Sequence, residues 1–194
     1  MNTALKTKGE FTYREYKTWP DDERWELING TAYNMTPAPN RRHQEIAGAL
    51  FNKFYNFLKG KKCKVYMAPF DVRIPLFNED EDAITNIVQP DLLIICDKNK
   101  LDSKGAIGAP DLVVEILSPS TAAKDLREKM ALYEQAGVLE YWLIDPHDNI
   151  VMIHKLVQNA YGRAEIFAES ENIQVALFNN ELTIELKDLF IVEE

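Results

Sequence analysis

Two acids, Asp91 and Glu115, stand inside runs that are otherwise almost wholly apolar, and this constrains the chain most. The runs read Gln89-Pro90-Asp91-Leu-Leu-Ile-Ile and Pro110-Asp111-Leu-Val-Val-Glu115-Ile-Leu. Dense β-branched segments of this kind form strands buried on both faces of a sheet. A carboxylate in such a strand is destabilising unless it is paired, protonated or bound to a metal. Chains keep such groups mainly where they do chemistry, so function is sought around these two residues.

With 194 residues, 46% of them hydrophobic, the chain has material for one core and little for two. One domain over 1–194 is predicted, with its core in about 12–156 and peripheral strands in 157–194. No apolar run approaches the roughly 18 to 20 residues needed to cross a bilayer, so no membrane association is expected. The first eight residues, Met1 to Lys8, lack the hydrophobic segment of a secretory signal. Cys63 and Cys96 are then expected as buried or half-buried thiols in a reducing cytoplasm.

A net charge of −9 argues against strong non-specific binding to nucleic acid or anionic membrane. It leaves room for a nucleic-acid enzyme that concentrates its basic residues on one face. Arg41-Arg42 and the Lys59-Gly-Lys-Lys-Cys-Lys64 cluster either supply that face or cap helices and solvate a surface.

The local signals describe an α/β chain. Thr12-x-x-Glu15 is a capping box, predicting a short helix over Tyr13 to Thr18 that stops before Pro20. Trp25 to Ile28, then Asn29-Gly30, then Thr31 to Tyr33 reads as a hairpin. After the Pro37-Ala-Pro39-Asn40 punctuation, apolar residues from Ile46 to Leu58 recur at helical spacing. A strand pattern follows at Val65, Met67, Phe70, Val72 and Ile74. The acidic run Asn78 to Asp82 lacks the glycine and terminal glutamate of a calcium loop and reads as solvated.

Val88 to Cys96 and Leu112 to Leu117 are the buried strands. Ser118 to Thr121 caps a helix with Leu126, Met130 and Tyr133 as its inner stripe and Gly137 at its end. Glu140 to Asp145 is another buried strand, with Ile150 to Leu156 as its hairpin partner. A mixed central sheet flanked by helices is the predicted architecture.

If the two acid-bearing strands are neighbours, Asp91 and Glu115 converge, and like charges that close need a cation between them. Hard oxygen ligands without histidine or cysteine favour Mg²⁺ or Mn²⁺, with the backbone carbonyl of Ile116 as a further donor. The bland alternative is that each acid caps a helix or ends a strand at the surface. Lys129 is either the partner of Asp125 in an ordinary i,i+4 surface pair or a cation laid back over the carboxylates. Lys124 is its rival. Glu26 is either a third carboxylate of the site or a solvated strand residue. Asp111, roughly 13 Å from Glu115 along one strand, is too far to share a metal with it. His43 has no serine or cysteine at a recognisable elbow, and no glycine-rich phosphate loop is present.

These residues resemble the Uma-two family of restriction-endonuclease-like proteins, a bacterial branch of the PD-(D/E)XK nuclease superfamily. The matching stretches are Trp25-Glu26-Leu-Ile-Asn-Gly30, Gln89-Pro90-Asp91-Leu, Pro110-Asp111-Leu-Val-Val-Glu115-Ile-Leu-Ser118-Pro119-Ser120 and Asp125-Leu-Arg-Glu-Lys129 with Tyr133. Gly137-Val-x-Glu140-Tyr-Trp142-Leu-Ile-Asp145-Pro146 completes them. The resemblance implies a restriction-endonuclease-like core, a Mg²⁺ (or Mn²⁺) site on Asp91 and Glu115, and hydrolysis of DNA phosphodiester bonds. The superfamily's lysine usually stands two residues after the second acid, where this chain has Leu117. Members whose lysine sits on the following helix would assign its role to Lys129, with Glu26 assisting. The rival expectation is a nuclease-fold module without catalysis that binds a protein or nucleic acid. A homodimer, the usual way for restriction-type enzymes to cut both strands, is a further expectation.

Overall fold

Two prolines divide the apolar runs between two sheets. The computed structural model describes residues 6–7, 10–20, 22–35 and 38–191. Pro37 and most of the amino-terminal stretch lie outside the described residues. The pattern from Val65 to Ile74 forms two strands rather than one, broken around Pro69. Val88 to Cys96 likewise breaks at Pro90. Proline has no amide hydrogen to give a ladder, so each run turns there and its halves pair elsewhere.

The chain opens with β1 (Lys6–Thr7) and α1 (Tyr13–Tyr16), whose first turn is held by Glu15 accepting from the Thr12 amide at 2.8 Å. Next comes the predicted hairpin of β2 (Trp25–Ile28) and β3 (Thr31–Asn34). Asn29 and Gly30 take φ of 49° and 70°, the left-handed pair that a tight hairpin turn demands. α2 (Arg41–Leu58) starts at Asn40, whose side chain accepts from the His43 amide.

β4 (Lys64–Met67), β5 (Val72–Arg73), β6 (Ile87–Val88), β7 (Leu92–Ile95), β8 (Leu101–Asp102) and β9 (Gly105–Ile107) follow. β10 (Leu112–Ile116) leads through α3 (Ala122–Lys124), a π turn over Asp125–Lys129 and α4 (Met130–Ala136) to β11 (Glu140–Asp145). β12 (Ile150–Val157), β13 (Ala160–Tyr161), β14 (Glu165–Ala168), β15 (Asn172–Gln174), β16 (Thr183–Glu185) and α5 (Lys187–Phe190) complete the chain.

One sheet runs β1-β3-β2-β6-β5-β9-β8, a second β13-β12-β11-β10-β7-β4 with β14 also on β12, and β15 and β16 form a small two-stranded third. β10 pairs with β11 in parallel and with β7 antiparallel, so the second sheet is mixed. α2 covers one face of this sheet with Ile46, Leu50 and Phe54, packing on Leu92, Val114 and Trp142. Ile173, Ile184, Leu186 and Phe190 close the same core, so the carboxy-terminal segment is structural as well as peripheral. The opposite face, with Leu93, Val113 and Leu143, packs on Ile28, Val72 and Val88 of the first sheet and on Leu132 and Tyr133 of α4. Side chains alternate along a strand, so Leu112, Val114 and Ile116 face α2 while Val113 and Glu115 face α4. Among the described residues no helix is long and apolar enough to cross a membrane.

The thiol expectation for Cys63 and Cys96 is corrected, because the two form a disulfide. The antiparallel register pairs Lys64 with Ile95, which sets the cysteines opposite each other one step further along. Cross-linking residues 33 apart restricts the unfolded chain and stabilises the fold by about 3 to 4 kcal/mol on loop-entropy grounds. The expected result is a lower urea midpoint with reductant, and a Cys63→Ser variant that no longer responds to reductant. An unchanged wild-type midpoint would remove the disulfide from the account of stability.

Candidate functional site

The register brings the two acids together. β7 and β10 are antiparallel neighbours with Leu92 opposite Val114, so Asp91 and Glu115 meet at the next step. Oδ2 of Asp91 accepts the Ile116 amide at 2.7 Å, which pins the carboxylate to β10. Ile116 thus joins the site through its N–H.

Glu115 points toward the helix that follows its own strand. Its Oε1 accepts from Lys129 Nζ at 2.8 Å and from the Tyr133 hydroxyl at 3.0 Å. Lys129 Nζ also lies 2.7 Å from Oε1 of Glu26, and Lys124 Nζ contacts Oε2 of Glu26 at 2.5 Å. Glu26 comes from β2 in the other sheet, and the Gln89 amide holds its Oε1 at 3.0 Å. Asp125 stands 3.8 Å from Lys129. Glu26, Asp91, Glu115 and Lys129, all singled out from sequence, therefore converge, and Lys124 joins Lys129 rather than replacing it.

The helix carrying Lys129 departs from its sequence expectation. Leu126, expected on the inner stripe, is 40% exposed, whereas Asp125 and Lys129 are each 2% exposed. The π turn over Asp125–Lys129 adds a residue to one turn and so changes which side chains face inward. The carbonyl of Asp125 accepts from Tyr141 at 3.0 Å, fixing the turn to β11. This is no ordinary surface pair.

Burial and charge act differently on each acid. Burial alone would raise Glu26, but the Lys129 and Lys124 ammoniums outweigh it and hold the carboxyl at about 2. Glu115 is raised well above the usual range by burial, opposed by Lys129 and reinforced by Asp125, Asp91 and Glu26. Burial raises Asp125 too, against Lys129 and Lys124. Burial would lower Lys129, yet Glu115, Glu26 and Asp125 push it well above its usual value, so it stays charged. Glu26, Glu115 and Asp125 thus face two ammoniums in one largely buried cluster, with Asp91 beside them on the neighbouring strand.

The cluster floors a cleft of about 1110 Å³. Arg24, Arg42, Lys124 and Lys129 line it together with Asp91, Glu115, Asp125, Glu128 and Asp145, so its lining is of mixed charge. Arg24 is tied to Gln89, and Arg42 to the Pro146 carbonyl and Asn149. Of the other basic cluster, Lys61 lies beside Glu181 and over the Phe57 ring. Asp111 accepts the Cys96 amide at 2.7 Å, a strand-end role away from the cluster. The acidic loop is likewise structural, with Glu81 on buried Arg73 and Asp82 on Lys17.

One cleft residue had no role in the sequence reading. His43 on the first turn of α2 sets Nε2 3.1 Å from Oδ2 of Asp91. No local signal marks it, because only the packing of α2 against the sheet shows where the ring points.

A family model described as "Uma2: Putative restriction endonuclease" matches residues 13–187. The chain belongs to this restriction-endonuclease-like family. An uncharacterized protein, slr1290, of Synechocystis sp. is 33% identical over 132 residues, 67% of this chain and 65% of that one. The match thus takes in somewhat less than two thirds of that relative's length. A crystal structure described as a "putative nuclease belonging to DUF820" from Anabaena variabilis superimposes with a TM-score of 0.74. It is 21% identical, with 93% of this chain and 97% of that one covered, and shows the same fold.

Proposed function

We propose that this protein is a divalent-metal-dependent nuclease that hydrolyses phosphodiester bonds in DNA. The observation that carries this reading is the convergence of Asp91 and Glu115 from adjacent strands, with Lys129 against Glu115, at the floor of an open cleft. The donor set suits a hard cation. Among the described residues no group of three or more His, Cys, Asp or Glu is arranged to hold a metal. Mg²⁺ keeps several of its waters and needs only one or two carboxylates, and its double positive charge would favour the ionised form of the acids that hold it.

Asp91, Glu115 and the Ile116 carbonyl would hold Mg²⁺ or Mn²⁺. When bound, such an ion acidifies a water and draws charge from the phosphate. Lys129 supplies the fixed ammonium of the site, able to orient the attacking water and to donate to charge developing on the phosphate oxygens. Glu26 keeps Lys129 charged and in place, assisted by Lys124. The Tyr133 hydroxyl, whose ionisation burial and Glu115 suppress, remains a donor to Glu115. A homodimer and a cytoplasmic setting belong to the same reading, although the disulfide weighs against a steadily reducing compartment.

A second reading, a nuclease-fold module that binds without cutting, is favoured by the mixed charge of the cleft, the net charge of −9 and Leu117 at the superfamily's lysine position. Calorimetry with Mn²⁺ separates the two without a choice of substrate. Binding of about one ion per chain, lost in Asp91→Asn, is expected for the nuclease. Cleavage of plasmid DNA with Mg²⁺, abolished by chelator, should accompany it. No ion bound, or binding untouched by the substitution, would move the assignment to the module.

A further inference from the structure

His43 has a ring buried against the acid it touches and a second nitrogen that finds no partner. The side chain is 11% exposed, and Nδ1 is buried without a hydrogen bond among the described residues. An N–H at Nδ1 would be a buried donor with no acceptor, an arrangement that folded proteins avoid. The ring proton therefore sits on Nε2, directed at Oδ2 of Asp91, 3.1 Å away. That same oxygen accepts the Ile116 amide at 2.7 Å. Oδ2 is thus held by one donor from α2 and one from β10, and among the described residues Oδ1 accepts no hydrogen bond. His43 is itself held, because its amide donates to the Asn40 cap at 2.9 Å.

We infer that His43 is a positioning residue: it clamps Oδ2 of Asp91 so that Oδ1 is the oxygen presented to a divalent cation. The inference rests on the reading of Asp91 as a metal-holding residue. A carboxylate that ligates a metal is itself oriented by hydrogen bonds, and loss of such a partner weakens metal affinity without removing a ligand. Without His43 the carboxylate keeps only the amide of Ile116 and can rotate away from the geometry that the cation needs.

Substitutions that differ in reach test this. The amide nitrogen of glutamine can occupy the place of Nε2, whereas that of asparagine reaches only as far as Nδ1. Mn²⁺ affinity, measured by calorimetry, is expected to fall about 10- to 100-fold in His43→Asn and His43→Leu and to stay within about threefold of wild type in His43→Gln. Thermal melts establish that each variant is folded, and the Asn–Gln pair decides if the Leu variant is not. Wild-type affinity in the Asn variant, or a Gln variant as weak as Asn, overturns the positioning role while the metal site stands. Absence of Mn²⁺ binding in the wild type overturns the metal reading and this inference with it.

Discussion

Lys129→Met is expected to destabilise the protein by about 3 to 5 kcal/mol, a large part of the roughly 5 to 15 kcal/mol that holds a typical domain together. Methionine fills a similar volume, so the loss is electrostatic rather than one of packing. Lys129 stands between Glu26 and Glu115, which are 0% and 4% exposed, and its ammonium contacts both. Without it, Glu115 keeps only the Tyr133 hydroxyl and must stay protonated, while Glu26 keeps Lys124 and the Gln89 amide. Urea denaturation of the metal-free protein reads the difference. Lys124→Met serves as the control, because that lysine contacts only Glu26 within the cluster and should cost less. A loss below about 1 kcal/mol in Lys129→Met would put the pair in the class of exposed salt bridges and sink the claim.

Glu115→Gln should change how stability depends on pH. In the unfolded chain a glutamate titrates near its model value of 4.5, whereas in the folded protein burial raises Glu115 well above that. Between those values the native state holds a proton that the unfolded state has released. The stability from this group is therefore full below about 4.5 and is lost as pH rises toward the folded value. Glu26 works in the opposite sense. Its folded value of about 2 gives stability that is present above 4.5 and lost as pH falls toward 2. The metal-free wild type should thus weaken toward both ends of the pH range. Glu115→Gln removes this group's share of the alkaline limb, leaving that of Asp125, and keeps the acid one. Saturating Mn²⁺ at about 100 times its Kd should stabilise the wild type by about 2.7 kcal/mol and leave the variant unchanged. Urea midpoints at pH 5.5 and 8, with and without Mn²⁺, test both statements. Equal slopes in the two proteins would show that Glu115 does not titrate as described.

Much of the site was legible because its acids violate the patterns around them. Asp91 and Glu115 stand out in apolar runs, and Asn29-Gly30 marks the hairpin that carries Glu26. Lys129 was harder. Its spacing from Asp125 is that of a surface pair, and the exposure of Leu126 in its place depends on a π turn without a local sequence signal. The breaks at Pro69 and Pro90 are visible as residues, yet the sheet that each half joins is not. His43 and the disulfide stayed hidden for a related reason. Both depend on which strands and helices become neighbours, which is a property of pairing between distant segments.

By itself the sequence determined the elements that local chemistry dictates. These are the hairpin turn at Asn29-Gly30, the capped start of α2, the buried acid-bearing strands, and Gly137, at φ 86°, ending α4. It also carried the motifs of the family. Only the tertiary structure decided that Glu26 of one sheet shares Lys129 with Glu115 of the other, and that two lysines join the cluster. It likewise decided that Asp91 is gripped by a histidine 48 residues away. Backbone propensity acts over a few residues, whereas a buried charge is settled by whichever groups the packed sheets bring within about 3 Å of it.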